Sequence, residues 1–350
     1  MEEPMRYERY DRLADLALEG RLPCRDDMVA VLRAPDGDVP ALLEAAFRVR
    51  RHHHGVRVQL HRLINAKSGL CAEDCGYCSQ SKVSAAPIDR YPFLPLPRLL
   101  QAAREAKAAR ALRFCIVNSG RGPAERELDQ VAAAVEAIRA EVPINICCCL
   151  GLLTEAQAHR LKAAGVERVN HNLNTSPRFH PRICSTHTFA DRVRTLQAVR
   201  GAGLSTCSGG IVGMGETDED VVDLALHLRA LDIDSIPVNF LHPIDGTPLA
   251  GTRTLDPRRC LKALCLFRFV LPAKEIRVAG GRELNLGSLQ PLALYPANSI
   301  FIEGYLTTPG QEAPAAHRMI ADLGFEIDET PPAPAASRPS RSAEHLPSAP

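Results

Sequence analysis

Cys71-Ala-Glu-Asp-Cys75-Gly-Tyr-Cys78-Ser-Gln80 places three cysteines within eight residues. A strand-like run, Val56 to Asn65, comes just before it, so the motif sits in the loop after a first strand. Soft thiolates suit zinc or iron–sulfur clusters. The spacing C-x3-C-x2-C supplies three ligands where a four-iron cluster takes four, so one iron would keep an open position. A structural zinc would instead need a fourth ligand and a second closely spaced pair, and none accompanies this motif.

Outward from the motif, strand and helix patterns alternate. The strand candidates are Val56–Asn65, Leu112–Asn118, Ile144–Leu150, Val166–Leu173, Leu204–Val212, Ser235–Leu241, Glu275–Ala279 and Ser299–Ile302. Helical spacing covers Pro97–Ala109, Ala124–Ala140, Thr154–Ala164, Phe189–Ala202, Asp218–Ala230 and Pro257–Val270. Thr154 to Gln157 and Thr217 to Asp220 have the form of helix N-terminal caps, and Gly165 and Gly203 stand where helices end. The pattern predicts an α/β fold, a (β/α)8 TIM-type barrel with its active site at the C-terminal strand ends. A doubly wound open sheet is the alternative. Three segments follow: an N-terminal helical extension over 1–54, the barrel over 55–328, and a Pro/Ala/Ser-rich tail over 329–350, expected to be disordered. His52-His53-His54 reads as a solvated run rather than a metal site, because adjacent helical residues do not share a face.

The net charge of +1 gives no field for nucleic acid or an anionic membrane. No apolar run approaches a membrane span, and the first residues lack the basic start and apolar core of a signal peptide. Twelve cysteines in 350 residues are too few for a disulfide scaffold, which favours a reducing, cytoplasmic location.

Three strands carry a thiol expected to face inward: Cys115, Cys147 and Cys207. Alternation puts Cys147 and Cys149 on one face and Cys148 on the other, leaving Cys147 and Cys149 as alternatives. Asn170, Asn172 and Asn174 recur with period two, so all three are expected on one side, where buried amides need partners. Gly209-Gly-Ile211-Val-Gly213 follows another strand, and glycine there lets a ligand approach the backbone.

The first motif, with Tyr77 before its last cysteine, resembles the radical S-adenosylmethionine (SAM) superfamily. There the open iron of a [4Fe-4S] cluster chelates the amino and carboxylate groups of SAM. From about residue 58 to 310 the chain is similar to the biotin synthase family. The resemblance is carried by Arg113-Phe-Cys115, Cys147 ahead of Leu150-Gly151, Asn170-His-Asn172-Leu-Asn174, Cys207-Ser-Gly-Gly, Ser235-Ile-Pro-Val-Asn239 and Ile276-Arg277-Val-Ala-Gly-Gly. It implies that Cys71, Cys75 and Cys78 hold the [4Fe-4S] cluster. Cys115, Cys147, Cys207 and Arg277 would hold a [2Fe-2S] cluster, with Arg282 a nearby competitor for the arginine role. It implies SAM contacts from Tyr77, Asn172, Asn174, Gly209 and Ile211, and dethiobiotin contacts from Asn170, Asn172 and Asn239. Asn174 stands where the family has an aspartate. The implied reaction is radical insertion of sulfur into dethiobiotin to give biotin, with a small electron donor such as flavodoxin or ferredoxin, in a homodimer. No acid–base side chain is implied, because the cofactors carry the chemistry.

Overall fold

Phe114 and Ile116 pack into the layer shared with the helices, while Cys115 and Val117 face the opposite side with Cys147 and Leu63. That period of two makes residues Arg113–Asn118 a strand buried on both faces, as parallel sheets require. The computed structural model describes residues 3–330, in which this pattern recurs around a closed sheet. Its strands are β1 (Arg57–Lys67), β2 (Arg113–Asn118), β3 (Asn145–Cys149), β4 (Arg168–Asn170), β5 (Ser205–Cys207), β6 (Gly210–Val212), β7 (Ser235–Phe240), β8 (Glu275–Val278), β9 (Ser299–Phe301) and β10 (Glu326–Asp328). The order is β10-β1-β2-β3-β4-β5-β7-β8-β9, and β9 pairs back onto β1. β5 and β6 are two halves of one barrel strand, both pairing with β7. All these pairings are parallel, so the open doubly wound alternative is excluded.

The helices are α1 (Glu3–Leu18), α2 (Arg25–Leu32), α3 (Val39–His54), α4 (Leu96–Ala108), α5 (Glu125–Glu141), α6 (Glu155–Ala164), α7 (His180–Ile183), α8 (Phe189–Gly201), α9 (Asp218–Ala230), α10 (Pro257–Val270), α11 (Arg282–Leu286) and α12 (Ala313–Asp322). α1 to α3 share one hydrophobic core with the barrel, Leu13, Leu42 and Val49 being buried with Phe267 and Phe269 of α10. The expected caps are present: Thr154 and Gln157 form a reciprocal capping box on α6, and Thr217 and Asp220 form one on α9. Gly165 closes α6 in the left-handed conformation.

Three expectations change. The histidine run closes α3, but only His52 is exposed; His54 is partly buried, and burial foremost lowers its pKa to about 3. The fourth strand is shorter than Val166–Leu173: it ends at Asn170, and the chain returns to the sheet only at the isolated Asn174–Gly210 bridge. The fifth is interrupted at Ser208-Gly209, where Ser208 Oγ accepts from Leu173 N (3.1 Å). Of the expected tail, 331–350 lies outside the described residues.

The registers fix the stagger. Followed once around from His61, they pass Arg113 and Asn145 and return to β1's line at position 53, a shift of eight residues. Eight strands with a shear of about eight is the barrel in which one residue of slide accompanies each step around.

Asp220 joins the cap of α9 to the asparagine segment: its carboxylate accepts from Ser176 Oγ (2.6 Å) and Arg178 Nη2 (2.5 Å) while fully buried. Burial alone would raise its pKa, but the Ser176 and Thr217 hydrogen bonds outweigh it and lower the value. Asp220→Ala is expected to cost about 1–3 kcal/mol, read as a lower denaturant midpoint at unchanged slope.

Candidate active site

Two sets of side chains meet at different depths of the barrel. The upper set is the loop after β1. Cys75 O accepts from Cys78 N (3.1 Å), which winds the motif tightly. Gly76 N donates to Ile183 O (2.9 Å) and Gly69 N to Gln80 Oε1 (3.0 Å), tying both ends down. Cys75, Tyr77 and Cys78 pack with Ile183, Cys184, Ile211, Met214 and Leu241 in one cluster. Burial foremost pushes the Cys78 thiol up to about 11. Tyr77 OH accepts from Asn174 Nδ2 (2.5 Å), joining the motif to the end of β4.

The lower set follows from the stagger. The hydrogen-bonded row from Cys147 reaches Arg168 and then Ser205, two residues below Cys207. The row from Cys207 reaches Ser235 and then Glu275, two residues below Arg277. One residue of slide per strand cancels both offsets, so Cys147, Cys207 and Arg277 stand at one level. Cys115, the register partner of Cys147 on the adjacent strand, lies one residue of slide off that level and packs against Cys147 on the same inner face. Cys149 also faces the interior, but its register partner is Val117, one layer higher. Cys148 packs outward with the helices.

Arg277 is held on three sides. Its Nη2 donates to Glu275 Oε1 (2.5 Å) and Ser235 Oγ (2.8 Å), and Nε to Ser299 Oγ (3.2 Å). Nη1 points at Cys207 Sγ, 3.7 Å away. Arg282 instead binds Gln290 Oε1 (2.6 Å), Gln311 Oε1 (3.1 Å) and the Phe301 carbonyl, away from the thiols. The carboxylate of Glu275 also accepts from Arg168 Nη1 (2.5 Å) and lies 3.1 Å from His61 Nε2. Burial would raise the Glu275 carboxyl, yet Arg277 and Arg168 hold it well below the usual range. Burial drives the pKa of Arg113, beside Cys147, down to about 10. Its Nε has no hydrogen-bond partner among the described residues.

Between the two levels lies a row of amides. Asn170 Nδ2 donates to Asn172 Oδ1 and to Cys207 Sγ, both at 3.1 Å. Asn172 Oδ1 also accepts from Gly209 N (3.1 Å). Asn174, itself at positive φ, hydrogen-bonds Tyr77 rather than the other two asparagines. Asn239 is engaged with backbone: Nδ2 donates to Gly210 O (3.0 Å) and Oδ1 accepts from Gly280 N (2.9 Å). Gly209 is glycine for a reason other than ligand approach, since a Cβ there would lie 1.8 Å from Pro237 O.

The donor sets fit iron–sulfur clusters. The upper set offers three thiols on one tight loop. The lower offers three thiols facing Arg113, Arg168 and Arg277, with Glu275 engaged by the last two and the half-buried Glu167 3.4 Å from Arg113. The remaining excess of positive charge, together with the unpaired Arg113 Nε, matches an anionic sulfur-bridged group.

Residues 67–228 match the model of the radical SAM superfamily, and 237–326 that of the biotin and thiamin synthesis associated domain. Biotin synthase of Geobacillus kaustophilus is 56% identical over 319 residues, covering 91% of this chain and 96% of that one. That of Bacillus subtilis strain 168 is 54% identical over 316 residues, covering 90% and 94%. The chain belongs to the biotin synthase family. Among solved structures, methylornithine synthase superposes with a TM-score of 0.80 at 20% identity, over 90% of this chain and 97% of that one. The FeFe-hydrogenase maturase HydG of Carboxydothermus hydrogenoformans gives 0.77 at 17% identity, over 91% and 79%. These two share the fold. Radical SAM and biotin synthase proteins use a [4Fe-4S] cluster, SAM and a [2Fe-2S] cluster, and this chain has the cysteines for both clusters.

Sequence reading missed the support beneath Arg277. Glu275 and Arg277 do stand at alternate positions of one strand, a signal that both face inward, but their partners Arg168 and His61 come from distant strands. Removing the buried carboxylate leaves two guanidiniums uncompensated. Glu275→Gln is expected to destabilise the chain by about 3–5 kcal/mol. Chemical denaturation checks this; a loss below about 1 kcal/mol would mean the network is not what holds Arg277.

Proposed function

We propose that the chain inserts sulfur into dethiobiotin to give biotin, the last step of biotin formation. The observation that carries this reading is an inner group of two thiols and an arginine at one level, with the adjoining Cys115 thiol, set below an independent three-thiol loop, with an amide row between. In this reading Cys71, Cys75 and Cys78 hold the [4Fe-4S] cluster, and Cys115, Cys147, Cys207 and Arg277 hold the [2Fe-2S] cluster. When bound, the clusters and SAM supply the electron, the radical and the sulfur atom.

The protein binds, orients and excludes water. The Asn170 carbonyl oxygen and the Asn172 amide nitrogen are left after their mutual contact, one an acceptor and one a donor. A ureido ring presents the complementary N–H and C=O groups. Asn170 also touches Cys207, so a ring held there lies beside the sulfur source. Asn239 keeps one N–H for the same ligand after its bond to Gly210. Tyr77, Asn172, Asn174, Gly209 and Ile211 are assigned to SAM, with Ile211 and Tyr77 in the apolar cluster beside the upper thiols. The Glu216 carboxylate accepts from Gly213 N (2.6 Å) and Met214 N (2.7 Å), shaping the adjoining turn. Enclosure protects a radical from water.

Among the described residues no helix is long and apolar enough to cross a membrane. The proposal includes a cytoplasmic setting, a small electron donor such as flavodoxin or ferredoxin, a homodimer and no nucleic-acid partner.

Anaerobic protein loaded with iron and sulfide, then given SAM, dithionite and dethiobiotin, is expected to yield 5′-deoxyadenosine and biotin. In Cys207→Ala, SAM cleavage is expected to persist while biotin falls below detection. Biotin from that variant would overturn the assignment of the lower ring. Asn170→Ala is expected to raise KM for dethiobiotin about tenfold or more, the loss of a hydrogen bond to a buried ligand.

A further inference from the structure

We propose that Cys75, Cys184 and His187 form a site for a single zinc ion, which excludes the iron–sulfur cluster by taking its middle thiolate. The zinc site stands on its own geometry, and its exclusion of the cluster rests on the assignment of Cys71, Cys75 and Cys78 in the proposed function. Cys184 was not singled out from the sequence, since 109 residues separate it from Cys75.

The geometry is that of one cation. Cys75 Sγ and Cys184 Sγ lie 3.8 Å apart. Two zinc–thiolate bonds of about 2.3 Å at the tetrahedral angle put their sulfurs about 3.8 Å apart. A disulfide would need about 2.05 Å, so the pair stands as two separate thiols. The two sulfurs and a ring nitrogen of His187 all lie within 4.8 Å of one another. Both ring nitrogens of His187 face Cys184 Sγ, Nδ1 at 3.3 Å and Nε2 at 3.7 Å, and Nδ1 is hydrogen-bonded to Glu73, which leaves Nε2 for a cation. The Nε2 separation is close to the roughly 3.6 Å expected for a sulfur and a nitrogen on one tetrahedral zinc. A carboxylate on the other ring nitrogen is the arrangement that orients metal-binding histidines.

The surroundings hold this geometry. Asp74 Oδ1 accepts from Ser185 N (3.0 Å) and Thr186 N (3.2 Å), clamping the Cys184 loop to the motif. Thr186 Oγ1 donates to Glu73 Oε2 (2.5 Å), and Arg121 Nη1 reaches Glu73 Oε1 (3.0 Å). Cys75, Cys184 and His187 are 7%, 5% and 7% exposed, so water competes weakly for the ion. Three protein ligands leave a fourth position for a water. Cys75 cannot serve zinc and an iron at once, so the zinc form is a cluster-free form that must release its ion before the cluster loads.

The test uses the full chain, stripped of iron and kept anaerobic. Titration with Co2+, followed by its thiolate charge-transfer band, and with Zn2+ by competition is expected to show one ion per chain. Cys184→Ser and His187→Ala are expected to bind at least about tenfold more weakly. Cys71→Ala, outside the constellation, is expected to bind as the parent does. The reverse pattern, loss in Cys71→Ala and none in Cys184→Ser, would place the ion on the three-cysteine motif and overturn the proposal. Circular dichroism melts show that each variant is folded. Zinc added first is expected to slow iron and sulfide uptake by the parent but not by Cys184→Ser. Equal slowing of both would count against the proposal.

Discussion

A parallel sheet of eight strands closes only if it is staggered, and that stagger decides which side chains meet. Residues joined by hydrogen bonds around this barrel drop one position per strand. Cys147, Cys207 and Arg277 are therefore not register partners, yet they share a level. Cys149, two residues further along the same strand as Cys147, lies one layer away. The lower ring is thus a property of the closed fold and not of any one strand.

The ring also needs its charges arranged. Arg168 and Arg277 are buried on one carboxylate, Glu275, which draws both into fixed positions, while Arg113 reaches the half-buried Glu167 at 3.4 Å. Three guanidiniums on two carboxylates leave an excess of positive charge that favours a further anion. In the proposed function, thiolates and their cluster are that anion. The positive surplus is a cost to the empty protein and a gain to the filled one, so the site's electrostatics and its ligand are matched. The upper thiols rely on something different: a tight loop, apolar packing by Ile211 and Met214, and the Tyr77–Asn174 bond that ties them to the segment after β4.

Much of this was legible in the chain. The three-cysteine spacing, the strand–helix rhythm and the two capping boxes are local patterns, and they recur in the structure within a few residues. The turn at Asn174 was not legible, because periodicity cannot see a positive φ. The histidine run lost its solvated character because α3 turns it against the barrel. α12 and the three-residue β10 went unread, β10 because three residues show no period. The Glu275 network and the Cys184–His187 pair were hidden for a common reason. Their members are distant in sequence, and only the closed barrel makes them neighbours.

The central claim is that two thiol sets at two depths hold two different clusters. Mössbauer spectra of anaerobic protein loaded with iron-57 test it most directly when the parent is compared with Cys147→Ala and Cys149→Ala. The account predicts four-iron and two-iron signals together in the parent, loss of only the two-iron signal in Cys147→Ala, and both signals in Cys149→Ala. A single cluster type in the parent, or loss of the two-iron signal through Cys149, would contradict it.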